Sequence, residues 1–142
     1  MRTLKFRIWE TIENKMLYPD DVENDLKSKD WPTVLAIGLH GLPIVVDKDS
    51  FKKEGQAIGW NVDHNRIIMQ STGKFDSTGK EVYDGDIIEF DRKEWGADNN
   101  IHIVSWNETE AAWCFGGGTA NDMGWRKVIG NIYETPDLVP TE

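Results

Sequence analysis

The sequence predicts a mainly β domain, a small antiparallel barrel-like fold with one short helix in its N-terminal part. An α+β arrangement is the alternative. Two observations lead there, and a third sets aside a helical membrane protein. Short stretches alternate apolar and polar residues with the period of two that marks half-buried strands. Glycine, aspartate and asparagine clusters separate them at close intervals, as turns do in strand-rich folds. No apolar run approaches the roughly 20 residues of a membrane-spanning helix.

The elements follow in order. Leu4-Lys5-Phe6-Arg7-Ile8-Trp9 alternates apolar and basic residues, which places Leu4, Phe6 and Ile8 toward a core and Lys5 and Arg7 outside. Glu13-Asn14-Lys15 reads as a turn returning through Met16-Leu17-Tyr18, making a hairpin. Asp20 or Asp21 caps a short helix over residues 22–29, where Val22 and Leu26 form a narrow apolar stripe. Residues 33–46 hold two strands around His40-Gly41-Leu42-Pro43, and residues 47–55 are a polar loop. Ala57-Ile58-Gly59-Trp60 and Arg66-Ile67-Ile68-Met69-Gln70 flank Asp63-His64-Asn65 as a further hairpin.

In the second half, residues 73–80 are turn chemistry and 81–83 lead through Asp84-Gly85-Asp86 into the strand Ile87-Ile88-Glu89-Phe90. A polar loop with Trp95 follows. Residues 101–106 form a strand, Asn107-Glu108-Thr109-Glu110 turn it, and 111–115 return. Gly116-Gly117-Gly118-Thr119 opens a loop reaching Trp125. Residues 126–134 are the last strand, with Val128, Gly130 and Ile132 on one face, and 135–142 are a tail. The 142 residues fit one domain, with an N-terminal α+β portion over about 1–50 and a strand-rich portion over about 56–134.

Composition bounds the function classes. Lys and Arg number 16 against 25 Asp and Glu, a net charge of −9. Generic nucleic-acid binding draws its affinity from cations, so an acidic chain disfavours it. The N-terminus lacks a signal-peptide apolar region, and the single Cys114 has no partner for an internal disulfide. The expectation is a reducing cytoplasm and no membrane association.

One constellation is specific. Ile68-Met69-Gln70-Ser71-Thr72-Gly73, then Asp76, Gly79-Lys80-Glu81 and Tyr83-Asp84-Gly85-Asp86-Ile87-Ile88 resemble the core signature of the YopX family, small proteins encoded by phages and prophages. Lys5-Phe6-Arg7-Ile8-Trp9 is similar to its opening strand. Val128-Ile129-Gly130-Asn131-Ile132-Tyr133-Glu134 with Pro136-Asp137-Leu138 is similar to its closing motif. These pieces keep the family's order, while residues 20–61 and 93–126 match no motif. The resemblance implies a β-rich fold, a phage or prophage origin and a bacterial host cytoplasm. It implies no catalytic residues.

Gln70, Gly73, Asp76, Gly79, Tyr83, Gly85, Asp86, Gly130, Asn131 and Tyr133 are thus candidate architectural positions. Gly73, Gly79 and Gly85 suit positive φ or close chain approach. Asp76 is placed to accept hydrogen bonds from its own turn, and Asp86 to bind amides at the start of its strand.

Chemical motifs are otherwise sparse. Asp76, Asp84 and Asp86 do not follow the spacing of a calcium loop. His40, His64 and His102 lack zinc-ligand spacing, and no Gly-x-Ser-x-Gly elbow or phosphate loop is present. Cys114, between Trp113 and Phe115, reads as a small buried hydrophobe. No catalytic residue, metal or cofactor is assigned.

Seven tryptophans are the unusual feature. Trp9, Trp60, Trp106 and Trp113 fall on strands and serve a core or an inter-subunit surface. Trp95 and Trp125, in glycine-containing loops, are the candidate interaction anchors. The function expected is a non-enzymatic protein-interaction module acting on a host or phage protein, with self-association as a further role. The alternative is a nucleic-acid-binding small barrel whose basic groove would use Lys5, Arg7, Arg126 and Lys127.

Overall fold

The structure is a computed structural model, and it describes residues 4–19, 21, 33–37, 43–47, 60–62, 65–90, 100–115 and 125–139. Among the described residues the fold is mainly β, with almost no helix and a curled, half-barrel antiparallel sheet, in agreement with the small barrel-like class expected. The expected helix over residues 22–29 lies outside the described residues. So do His40, His64, Trp95 and the glycine run at 116–118. The chain divides into two compact units, one of Met1–Phe6 with Met69–Glu142 and one of Arg7–Ile68.

In the Arg7–Ile68 unit, β1 (Phe6–Glu10) and β2 (Lys15–Leu17) form the expected hairpin, pairing Ile8 with Leu17 and Trp9 with Met16. Asn14 takes the positive φ of 50° in its turn, a conformation asparagine tolerates better than most residues. The alternation of β1 does not sort inside from outside as expected. Arg7 is 1% exposed, more deeply buried than Ile8 and Trp9 beside it, while Leu4 is 59% exposed. Residues 7–10 are all buried, so both faces of β1 are covered, and an arginine is tolerated at such a position when it is paired, as Arg7 is.

Two strands do flank residues 38–42. β3 (Thr33–Ile37) pairs antiparallel with β4 (Pro43–Asp47), matching Val34 to Val46 and Ala36 to Ile44. β5 (Trp60–Val62) departs from the expected hairpin with residues 66–70. It lies against β4, with Trp60 opposite Val46 and Val62 opposite Ile44. Asn65 instead accepts hydrogen bonds from Thr11, through N–H at 2.8 Å and Oγ1 at 3.0 Å. The Asp63-His64-Asn65 turn signal was thus followed by a change of partner, which turn chemistry does not encode.

The second unit contains the main described core. β6 (Arg66–Phe75) pairs with β7 (Glu81–Tyr83), and β8 (Asp86–Phe90) lies between β9 (Ile101–Ile103) and β12 (Arg126–Asn131). β10 (Ser105–Asn107) and β11 (Ala112–Cys114) form a two-stranded ribbon. Val82, Ile88 and Val104 are fully buried and pack with Phe115 and Val128, and Trp113 rests against this cluster. Each fully buried aliphatic side chain of this kind contributes roughly 1.5–3 kcal/mol.

Two boundaries differ from expectation. The strand expected over 101–106 breaks at Val104, whose N–H donates to the Asp86 carbonyl at 2.8 Å while its own carbonyl accepts from Gly85 at 2.9 Å. The last strand ends at Asn131, and its register against β8 slips between Val128 and Gly130. That bulge breaks the simple alternation predicted for Val128, Gly130 and Ile132. The chain then turns through Tyr133 into a 3-10 turn, Pro136–Leu138, where a tail was expected.

Candidate functional site

Two groups of residues stand out in the larger unit: the turn network built by the signature residues, and the aromatic ribbon β10–β11.

The network centres on Asp84-Gly85-Asp86. Asp84 N–H donates to the Gln70 carbonyl at 2.9 Å, and the Gly85 carbonyl accepts from Ile132 N–H at 3.0 Å. With the two Val104 bonds, this turn ties together chain segments near residues 70, 104 and 132. Asp86, fully buried, accepts the Tyr83 N–H at 2.8 Å, closing the turn from within. Gly85 adopts φ +75°, and a Cβ there would meet Ile132 at 3.3 Å.

Asp76 is the second node. Its Oδ1 accepts from Thr78 N–H at 2.8 Å, Thr78 Oγ1 at 2.7 Å and Lys80 N–H at 2.9 Å. Its Oδ2 accepts from Val128 N–H at 2.9 Å, 52 residues away. Burial pushes the Asp76 carboxyl upward, but the bonds from Val128, Thr78 and Lys80 outweigh it and hold the group below its ordinary value. The same donors occupy the oxygens a cation would need. Among the described residues no three His, Cys, Asp or Glu side chains gather as metal ligands.

Asn131 is the third. Its Oδ1 accepts from Tyr133 N–H at 3.0 Å and Glu134 N–H at 2.8 Å, and its Nδ2 donates to Glu134 Oε2. The Thr135 hydroxyl donates to the Asn131 carbonyl and accepts the Asn131 N–H, both at 3.0 Å. Thr135 packs so closely on Gly130 that any side chain there would collide with it. Gly73 and Gly79 take positive φ, at 74° and 86°.

Ser71, Lys5 and Tyr83 surround Glu81. Ser71 Oγ donates to Oε1 at 2.7 Å, while Lys5 Nζ and Tyr83 OH reach Oε2 at 3.1 and 3.3 Å. Burial raises the Glu81 carboxyl, and the Ser71, Lys5 and Tyr83 contacts together hold it below its ordinary value. A serine donating to an ionised carboxylate and accepting from Gly73 N–H is already bonded as both donor and acceptor. This group ties chain segments together.

The ribbon has a different character. Its base lies in the core, with Val104 fully buried and Phe115 2% exposed. One step outward, Trp106 stands opposite Trp113, with ring centroids 5.3 Å apart at 76°. Trp113 packs on the core, while Trp106 is 48% exposed. Beyond them the turn residues Glu108, Thr109, Glu110 and Ala111 are all exposed. Asn107 Oδ1 fixes this turn by accepting from Thr109 N–H at 2.9 Å and Glu110 N–H at 3.1 Å. At the base, the Arg126 guanidinium lies 4.3 Å from the Phe90 centroid and 5.7 Å from that of Phe115. His102 meets the Phe90 ring edge-on at 6.1 Å.

Trp125, expected as an anchor, is 49% exposed just before β12. Trp106, expected on a strand serving a core or subunit surface, is equally exposed and better framed. The missed signal was the four-residue turn beside it, which sets two tryptophans opposite each other. The cations named for a basic groove are not all available. Arg7 and Arg126 are buried, at 1% and 7% exposure, and Lys5 pairs with Glu81.

The family profile described as YopX protein matches residues 5–140. The chain belongs to the YopX family. Its fold is similar to the crystal structure of protein EF1440 from Enterococcus faecalis, at 22% identity and a TM-score of 0.60, covering 99% of this chain and 100% of the other. It is also similar to the crystal structure of YopX from Bacillus subtilis, at 20% identity and a TM-score of 0.47, with 99% and 100% covered. No curated protein matches. At these identities the likeness to solved structures concerns the fold, and the YopX signature residues here are those that fasten the turns.

Proposed function

We propose that this YopX-family protein is a non-enzymatic protein-interaction module, a phage or prophage accessory factor working on a host or phage protein in the bacterial cytoplasm. The observation that carries the reading is Trp106, held against Trp113 on a ribbon rooted in the core yet half open to solvent. Tryptophan is among the residues that dominate binding energies, and a ring already fixed by a neighbour loses little freedom on docking. The signature carboxylates Asp76 and Glu81 offer little for chemistry, since both oxygens of each are engaged by donors of the fold, and Asp86 is fully buried with one oxygen held by the Tyr83 N–H. A nucleic-acid role has thinner support, because two of its four named cations are buried.

The test is capture from a bacterial host lysate with the tagged full chain and with Trp106→Ala, each split into nuclease-treated and untreated halves. The expected result is a protein retained in both halves by the parent chain and lost with Trp106→Ala. Retention that disappears only after nuclease treatment would replace this reading with nucleic-acid binding.

A further inference from the structure

We infer that the β10–β11 ribbon docks a lysine- or arginine-bearing segment of a partner protein. This deepens the interaction reading above and rests on it. Three features of the ribbon converge.

The first is the aromatic row. Phe115, Trp113 and Trp106 lead from the core to the surface, and the inner end of this row already accommodates a guanidinium, that of Arg126 near Phe115 and Phe90. Among the described residues no cation stands over Trp106 or Trp113. Indole is the aromatic group that attracts cations most strongly. The second is charge. Residues 101–115 contain Glu108 and Glu110 and no lysine or arginine. Both glutamates are exposed, and among the described residues neither holds an ion pair. The third is order. The turn that carries them is fixed by Asn107, so carboxylates and indole are presented together on one short, preorganised ribbon. An exposed aromatic beside unpaired carboxylates complements a cation on an aliphatic stem, because the stem covers the ring while the charge reaches the acids. The chain's net charge of −9 favours the same partner at long range.

The experiment uses two fluorescently labelled peptides of equal length, one with Lys and Arg spaced by Gly and Ser, the other with Gln at every cationic position. Fluorescence anisotropy follows binding to the full chain, to Trp106→Ala, to Glu108→Gln/Glu110→Gln and to the charge-matched control Glu13→Gln/Asp137→Asn. Thermal melts of all four confirm folding; the glutamate variant, altered only at exposed side chains, keeps the test valid if Trp106→Ala is unstable. The basic peptide should bind and the Gln peptide should not. Trp106→Ala and the glutamate variant should each weaken binding about threefold to tenfold, with the control unchanged. Raising salt from ~50 to ~300 mM should weaken it further. Equal weakening by the control would overturn the proposal in favour of diffuse charge. Equal binding of the Gln peptide would overturn it in favour of apolar docking. If lysate capture depends on Trp106 while the peptides do not discriminate, this inference falls and the interaction reading stands; if neither depends on Trp106, both fall.

Discussion

Asp76 carries more of this fold than its size suggests. One buried carboxylate accepts three hydrogen bonds from its own turn and a fourth from Val128, so a local loop and the last long strand share an anchor. Charge-assisted bonds of this kind are roughly twice as strong as neutral ones. In Asp76→Asn the side-chain amide must turn an N–H₂ toward one of these donors. We expect a loss of about 2–3 kcal/mol in urea denaturation, with fold retained by circular dichroism. A change below ~0.5 kcal/mol would mean the network contributes little, as for an ordinary surface position. The local half of this network was legible, because aspartate before Ser-Thr-Gly is a turn signal in any chain. Val128 was not, since nothing in residues 76–80 names a donor 52 positions away.

At the scale of elements, turns and strands follow different rules. Gly79 and Gly85 share a left-handed backbone but not an environment. At Gly79, φ is +86° and a Cβ would meet nothing within 4 Å. Gly79→Ala should therefore cost only the conformational penalty, about 1–2 kcal/mol in denaturant midpoint analysis. Gly85→Val adds a branched side chain against Ile132 at 3.3 Å in a turn that bonds three other segments, and should abolish cooperative unfolding. Equal effects at the two sites would show that backbone conformation alone decides. The hairpins β1–β2 and β10–β11 were readable because each joins neighbouring strands through a short turn. The pairing of β5 with β4, the break at Val104 and the bulge after Val128 were not. Each depends on which strand lies alongside, and periodicity records a strand's faces without its neighbours.

For the molecule as a whole, stability should fall in two stages on acidification. His102 is held below its ordinary value of 6.5, first by burial and then by the nearby Arg126 charge. The unfolded chain therefore takes up that proton more readily than the folded one. The contribution is complete above pH 6.5 and declines as pH falls through that value toward the lower folded pKa. Asp76 and Glu81 are lowered carboxyls. Their contributions are present above their ordinary values of 3.8 and 4.5 and are lost below them, as pH passes through the folded pKa values. Thermal melts across this range should show both stages, with His102→Gln removing the upper and Asp76→Asn reducing the lower. A flat profile between pH 7 and 5 would rule out the His102 stage.

The sequence by itself determined the strand-rich class, the principal turns and the family. These rest on local physics: side chains alternate across a strand, and glycine reaches positive φ without a Cβ penalty. Only the tertiary structure decided which strands lie together, that Arg7 and Arg126 are buried, and that Trp106 meets Trp113 on an exposed ribbon. A side chain's exposure and partners are set by distant segments packed around it, and that packing exists only once the chain has folded.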